Sequence, residues 1–127
     1  MDRFVWICFA GALGTGTRYL VGLVAARSLG TGFPYGTLFV NVVGCFLIAA
    51  IMHISLSTDL VPPTLRLALT TGFMGGLTTY SSFNYETTRF FQERAWTMGF
   101  LNYALTTTVC FAAGLLGFAA ARRLFGI

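Results

Sequence analysis

Residues Thr70 to Glu86 read TTGFMGGLTTYSSFNYE, a glycine-rich and polar string set inside a long apolar segment. Lipid offers no partner for backbone N–H and C=O groups. Non-helical backbone survives at membrane depth only where protein buries it, or where it lines a wet or ion-occupied cavity. The string holds Gly75-Gly76, hydroxyls at Thr78, Thr79, Ser81 and Ser82, rings at Tyr80 and Phe83, and then Asn84 and Glu86. Glycine at the pair supplies backbone freedom. The expectation is a helix broken mid-membrane around a site, with the glycine pair at the break.

Composition makes the setting a membrane. Hydrophobic residues are 56% of the 127 and charged residues only 9%, against roughly 25% charged in soluble domains. At about 20 residues per crossing, four helices use nearly the whole length, so one transmembrane domain over residues 1–127 is expected. The expected spans are 4–26, 35–56, 64–91 and 95–121. Pro34 suits the start of the second helix, and Pro62-Pro63 stops any helix running through the turn before the third. The first span is too long for a signal-peptide core and is expected to remain in the mature protein.

The net charge of +4 rests on eight arginines, with no lysine. They are scattered singly or in pairs rather than clustered among aromatic residues, so no nucleic-acid partner is expected. Cys8, Cys45 and Cys110 each lie in an apolar run with no metal-ligand spacing, and read as reduced, buried thiols. Loop arginines normally set orientation. Here Arg3, Arg66, Arg122 and Arg123 fall on one side, and Arg27, Arg89 and Arg94 on the other. Two readings stay open: a topology set by one or two charges, or dual topology with copies paired antiparallel. Four helices pack solidly and leave no pore of their own, so transport would require an oligomer.

Polar residues within the spans each have two readings. Thr37 and Asn41 are four apart and share a helix face. Asn41 is either interhelical glue, worth about 0.6 kcal/mol on average, or a neutral donor to a desolvated anion. Arg18 would cost about 2.5–3.5 kcal/mol at a helix centre; it lies nearer an end, where it either snorkels or lines an aqueous mouth. Tyr103 with Thr107, and Asn102 with Thr106, form two faces of the fourth span. Tyr80 and Phe83 read as packing, or as ring edges touching an anion weakly. Ala10/Gly14, Ala12/Gly16 and Gly11/Thr15 are small-residue pairs suited to close helix packing. His53 has no nearby nucleophile or paired acid, so an enzyme is not expected.

These residues carry a resemblance. Gly36-Thr37-Leu38-Phe39-Val40-Asn41 resembles the GTLxVN motif of the Fluc (CrcB) family of bacterial fluoride channels. Thr71 to Phe83, TGFMGGLTTYSSF, resembles that family's TGFxGGxTTFSxF motif, and the Gly/Thr-rich stretch ending at Arg18 fits its first helix. The resemblance implies a dual-topology antiparallel homodimer in the bacterial inner membrane that passes fluoride down its gradient and relieves its toxicity. It implies pore-lining roles for Thr37, Asn41, Tyr80, Ser81, Phe83, Glu86, Tyr103 and Thr107, and a vestibule role for Arg18. It further implies a structural, untransported sodium ion held on the dimer axis by the backbone carbonyls of Gly75 and Thr78. Tyr80 departs from the family's phenylalanine, and Phe111 stands where some members carry serine. The alternative is a small dual-topology, proton-coupled multidrug exporter. That mechanism calls for a carboxylate in the first helix, where this chain has Arg18 and no acid.

Overall fold

The computed structural model describes residues 1–126. Its elements are α1 (Asp2–Leu29), α2 (Tyr35–Ser57), α3 (Pro63–Leu67), a π-helical stretch (Ala68–Met74), α4 (Gly75–Leu77), α5 (Tyr80–Gln92) and α6 (Trp96–Phe125), with no strand among the described residues. Three of them, α1, α2 and α6, are long and apolar enough to cross a membrane. These are the first, second and fourth expected spans, with ends shifted by at most four residues. The chain is a membrane protein by this architecture.

In the third expected span the helix opens at a different place from the one expected. Residues 63–92 do not form one helix. Pro63 opens α3 at a position where a missing N–H costs nothing, and the backbone then widens into the π-helical stretch before tightening again. Gly75 and Gly76, expected at the break, are helical. The extended residues are Thr78 (φ −82°, ψ 157°) and Thr79 (φ −154°, ψ 107°). Helix α5 follows, too rich in Ser, Asn, Glu, Thr and Arg to face lipid all round.

Helix ends follow local chemistry. Asp2 in the first turn of α1 and Arg27 in its last complement the helix dipole. Gly30, at φ 81°, ends the helix while its amide still reaches the Ala26 carbonyl at 3.1 Å. Arg94 adopts φ 59° in the turn between α5 and α6, and the Ala95 amide closes back on the Phe90 carbonyl at 2.8 Å.

Close backbone approach organises the packing. Lipid tails are as apolar as the side chains, so helices associate through van der Waals contact at small residues rather than through hydrophobic burial. A Cβ on Gly76 would collide with the Gly11 carbonyl, and one on Gly72 would come within 2.7 Å of the Ile7 carbonyl. Thus the Ala10/Gly14 and Gly11/Thr15 pairs of α1 receive the π-helical stretch and α4. Gly16 meets nothing within 4 Å, so the expected Ala12/Gly16 contact is not made within the chain. On the other side, a Cβ on Gly117 of α6 would strike the Phe46 carbonyl of α2. Val40, Met74 and Leu77 form the buried centre, with Val21, Leu47 and Phe73 around it.

Candidate functional site

The expected site residues gather where α2 faces the extended pair. Asn41, buried on α2, makes two hydrogen bonds to one residue. Its Oδ1 accepts from the Thr79 amide at 2.7 Å, and its Nδ2 donates to the Thr79 carbonyl at 3.1 Å. Asn41 thus satisfies an extended residue as a neighbouring strand would. In an uninterrupted helix the Thr79 amide would return to the carbonyl of Gly75, four residues back. Asn41 takes that amide instead, and so withdraws the helical donor from the Gly75 carbonyl.

The hydroxyl run finishes the same job. Thr78 closes α4, its amide and Oγ1 both donating to the Met74 carbonyl, at 2.9 and 2.8 Å. Thr79 caps α5, its Oγ1 accepting from the Ser82 amide at 3.1 Å. The Thr79 hydroxyl also donates to Ser82 Oγ at 3.0 Å and lies 3.3 Å from Ser81 Oγ. Of these hydroxyls, Ser81 is exposed.

Two cavities flank the Thr37–Asn41 face of α2. One, of about 380 Å³, is lined by Asn41, Gly75, Thr78, Tyr80, Phe83 and Thr107, together with Gly44, Cys45, Ile48, Thr70, Met74, Thr106 and Cys110. Every group in that lining is uncharged or a thiol. The other, of about 410 Å³, is bounded by residues 30–37 and by Glu86, Arg89, Phe90 and Glu93. In it Thr37 Oγ1 donates to Glu86 Oε1 at 2.6 Å, and Glu86 Oε2 is buried with no hydrogen-bond partner among the described residues. Arg89 and Glu93 pair at 2.8 Å on the exposed rim. An ion pair so exposed contributes little stability.

The aromatic residues form a row. Tyr80, 77% exposed, meets Phe83 edge-to-face at 5.6 Å, while Phe83, 5% exposed, stacks on Tyr103 at 6.3 Å with ring planes 23° apart. Tyr103 and Thr107 are both exposed on α6. Arg18 is half-buried on α1 and lines neither cavity. The structure therefore brings Asn41, Tyr80, Phe83, Thr107, Gly75 and Thr78 together and sets Thr37 with Glu86 next door. Tyr103 joins through its stack on Phe83, and Ser81 through the Thr79 cap; Arg18 stands apart.

One network lies beyond the expected site. The Thr87 hydroxyl donates to the Phe83 carbonyl at 2.7 Å and accepts from Asn102 Nδ2 at 2.9 Å, while Thr106 Oγ1 donates to Asn102 Oδ1 at 3.3 Å. Asn102 is 1% exposed. The four-residue spacing of Asn102 and Thr106 was the only signal in the sequence, and their partner on α5 was not visible there. Asn102→Ala is expected to cost about 1 kcal/mol, read as a lowered unfolding temperature in detergent. An unchanged temperature would show the network to be dispensable.

The CrcB-like, camphor-resistance protein family matches residues 5–118. The chain is 52% identical over 124 residues to a protein of Sorangium cellulosum, covering 98% of each. It is 48% identical over 124 residues to one of Geobacter metallireducens and 42% to one of Geobacter sp. strain M21, covering 98% of this chain and all of each relative. All three relatives are named fluoride-specific ion channels. This chain belongs to the CrcB family. The CrcB proteins it matches are channels, not enzymes, so its buried polar groups are to be read as binding and structural groups rather than catalytic ones. Across almost its full length this CrcB chain aligns with them, including α2, the extended pair and α6.

Proposed function

We propose that this chain is a fluoride-selective channel of the bacterial inner membrane, working as a dual-topology antiparallel homodimer and passing fluoride passively out of the cell. The observation that carries the reading is the uncharged cavity beside the Asn41–Thr79 pair, in a chain whose near relatives are named fluoride-specific channels. Fluoride is small and strongly hydrated, and must exchange its water for donors. Asn41, through the second hydrogen of its amide, and Thr107, Ser81, Tyr80 and Tyr103 supply neutral ones, whereas the Thr37 hydroxyl is already given to Glu86. Phe83 adds a ring whose edge is positive. Weak, uncharged contacts let the ion leave as well as enter. Arg18, which lines neither cavity, is assigned to the aqueous mouth by the family resemblance alone, and Glu86 accepts the Thr37 hydroxyl. A proton-coupled exporter calls for an acid in the first helix; here only Glu86, on α5, could serve.

In this reading the carbonyls of Gly75 and Thr78 hold a structural sodium ion at the two-fold axis. The donors are hard oxygens, as an alkali cation prefers, and Gly75 lies exposed with its helical donor taken by Asn41. One chain offers only two such ligands, so a second copy completes the set.

The test is reconstitution into liposomes loaded with potassium fluoride. Fluoride is expected to leave when a potassium ionophore balances charge, and chloride to stay. Efflux that required a proton gradient, or its absence, would sink the reading in favour of an exporter or a structural subunit. Phe83→Ile is expected to slow this efflux about tenfold, a barrier change of about 1.4 kcal/mol, while Tyr80→Phe leaves it near wild type; equal rates in all three would remove the ring row from the path. For topology, single cysteines placed at either terminus of an otherwise cysteine-free chain are expected to be labelled from both sides of the membrane in one population. Labelling from one side only would overturn dual topology.

A further inference from the structure

Two cysteines that the sequence reads as reduced, buried thiols line one cavity in the structure, each half-buried. Cys45 comes to it from α2 and Cys110 from α6, on opposite sides of one helix seam. Both belong to the lining of the 380 Å³ cavity. Their helices are pressed together around them: a Cβ on Gly117 would strike the Phe46 carbonyl, and one on Gly114 would stand 3.8 Å from the Cys45 carbonyl. No Arg, Lys or His lines this cavity to repel a cation.

We propose that Cys45 and Cys110 form a two-thiolate site for a soft, low-coordinate d10 metal ion, of which Hg2+ is the probe. Thiolates select soft ions, and two thiols from neighbouring helices on one cavity supply the ligand number that linear coordination needs. Tetrahedral zinc asks for four ligands, whereas no cluster of three or more His, Cys, Asp or Glu exists among the described residues. On binding, each thiol gives its proton to cavity water and its sulfur to the metal. Two S–H bonds become two S–Hg bonds, the 2+ charge is neutralised, and nothing is oxidised or reduced. Cys8 lies on the outer face of α1 and has no part in the site.

The experiment uses the purified full-length protein with one equivalent of Hg2+ per chain, followed by N-ethylmaleimide and mass spectrometry of the unfolded chain. The expected result is that Cys45 and Cys110 are protected together while Cys8 is alkylated. Two tethered thiols act at high effective concentration, so Cys45→Ser or Cys110→Ser should release mercury to glutathione at about a hundredfold lower competitor. Protection of one thiol without the other, or single variants that hold mercury as tightly as wild type, would overturn the site. A flux measurement rests on the channel reading above: bound Hg2+ should slow fluoride efflux in wild type and not in the double serine variant, each against its own mercury-free rate. Joint protection with unchanged flux keeps the site and removes the cavity from the ion path, so the two failures are distinguishable.

Discussion

Asn41→Asp is expected to lower fluoride efflux from liposomes by at least about tenfold, a barrier increase of about 1.4 kcal/mol. Two effects act in the same direction. The substitution keeps an oxygen to accept the Thr79 amide but replaces the Nδ2 donor with a second oxygen, set against the Thr79 carbonyl now 3.1 Å away. A carboxylate there also places negative charge on the wall of a cavity otherwise lined by neutral groups. Asn41→Ala separates structure from conduction. It leaves a buried amide and carbonyl of Thr79 unsatisfied, at about 1–3 kcal/mol each, so it should lower thermal stability more than the aspartate does. Wild-type efflux in Asn41→Asp would show that Asn41 serves the backbone alone.

The second large effect divides the glycine pair. Gly76→Ala is expected to destabilise the chain by about 3 kcal/mol, the upper part of the range for overpacking. Its new methyl meets the Gly11 carbonyl and lies within 2.9 Å of the Thr15 amide nitrogen; these are backbone atoms of α1, which cannot swing away. Gly75 differs: its Cβ would meet only the Thr70 carbonyl, at an ordinary 3.9 Å. Gly75→Leu should therefore leave the single chain folded, and on the reading of a dimer and sodium proposed above it should abolish both. Unfolding temperature and size-exclusion chromatography measure the two results. A stable Gly76→Ala, or a dimeric Gly75→Leu with sodium retained, would count against this division.

Much of this was legible in the residues. Apolar runs of bridging length marked α1, α2 and α6, because a helix is the form in which an isolated apolar segment satisfies its own backbone. The spacing of Thr37 and Asn41 placed both on one face, and the structure keeps them there. The glycine- and hydroxyl-rich string pointed to an interrupted helix, but the place of the break was misjudged by a few residues. Glycine freedom suggested Gly75-Gly76, yet both stay helical; Gly76 serves as a flat surface for α1 while Gly75 faces outward. In the same way, Asn102 and Tyr103 are neighbours on α6, and only the position of α5 makes one a buried partner of Thr87 and the other an exposed stack on Phe83.

The sequence by itself determined the membrane setting, the division into helical segments, the family and the positions of the polar groups, since hydropathy, proline stops and motif spacing are local properties. Where the helix opens, only the tertiary structure decided. A buried amide gives up its helical carbonyl only when another acceptor stands ready, and for Thr79 that acceptor is Asn41, 38 residues earlier in the chain. The same holds for the Cys45–Cys110 pair: each residue is an ordinary apolar-segment cysteine until α2 and α6 close together and put the two sulfurs on one cavity wall.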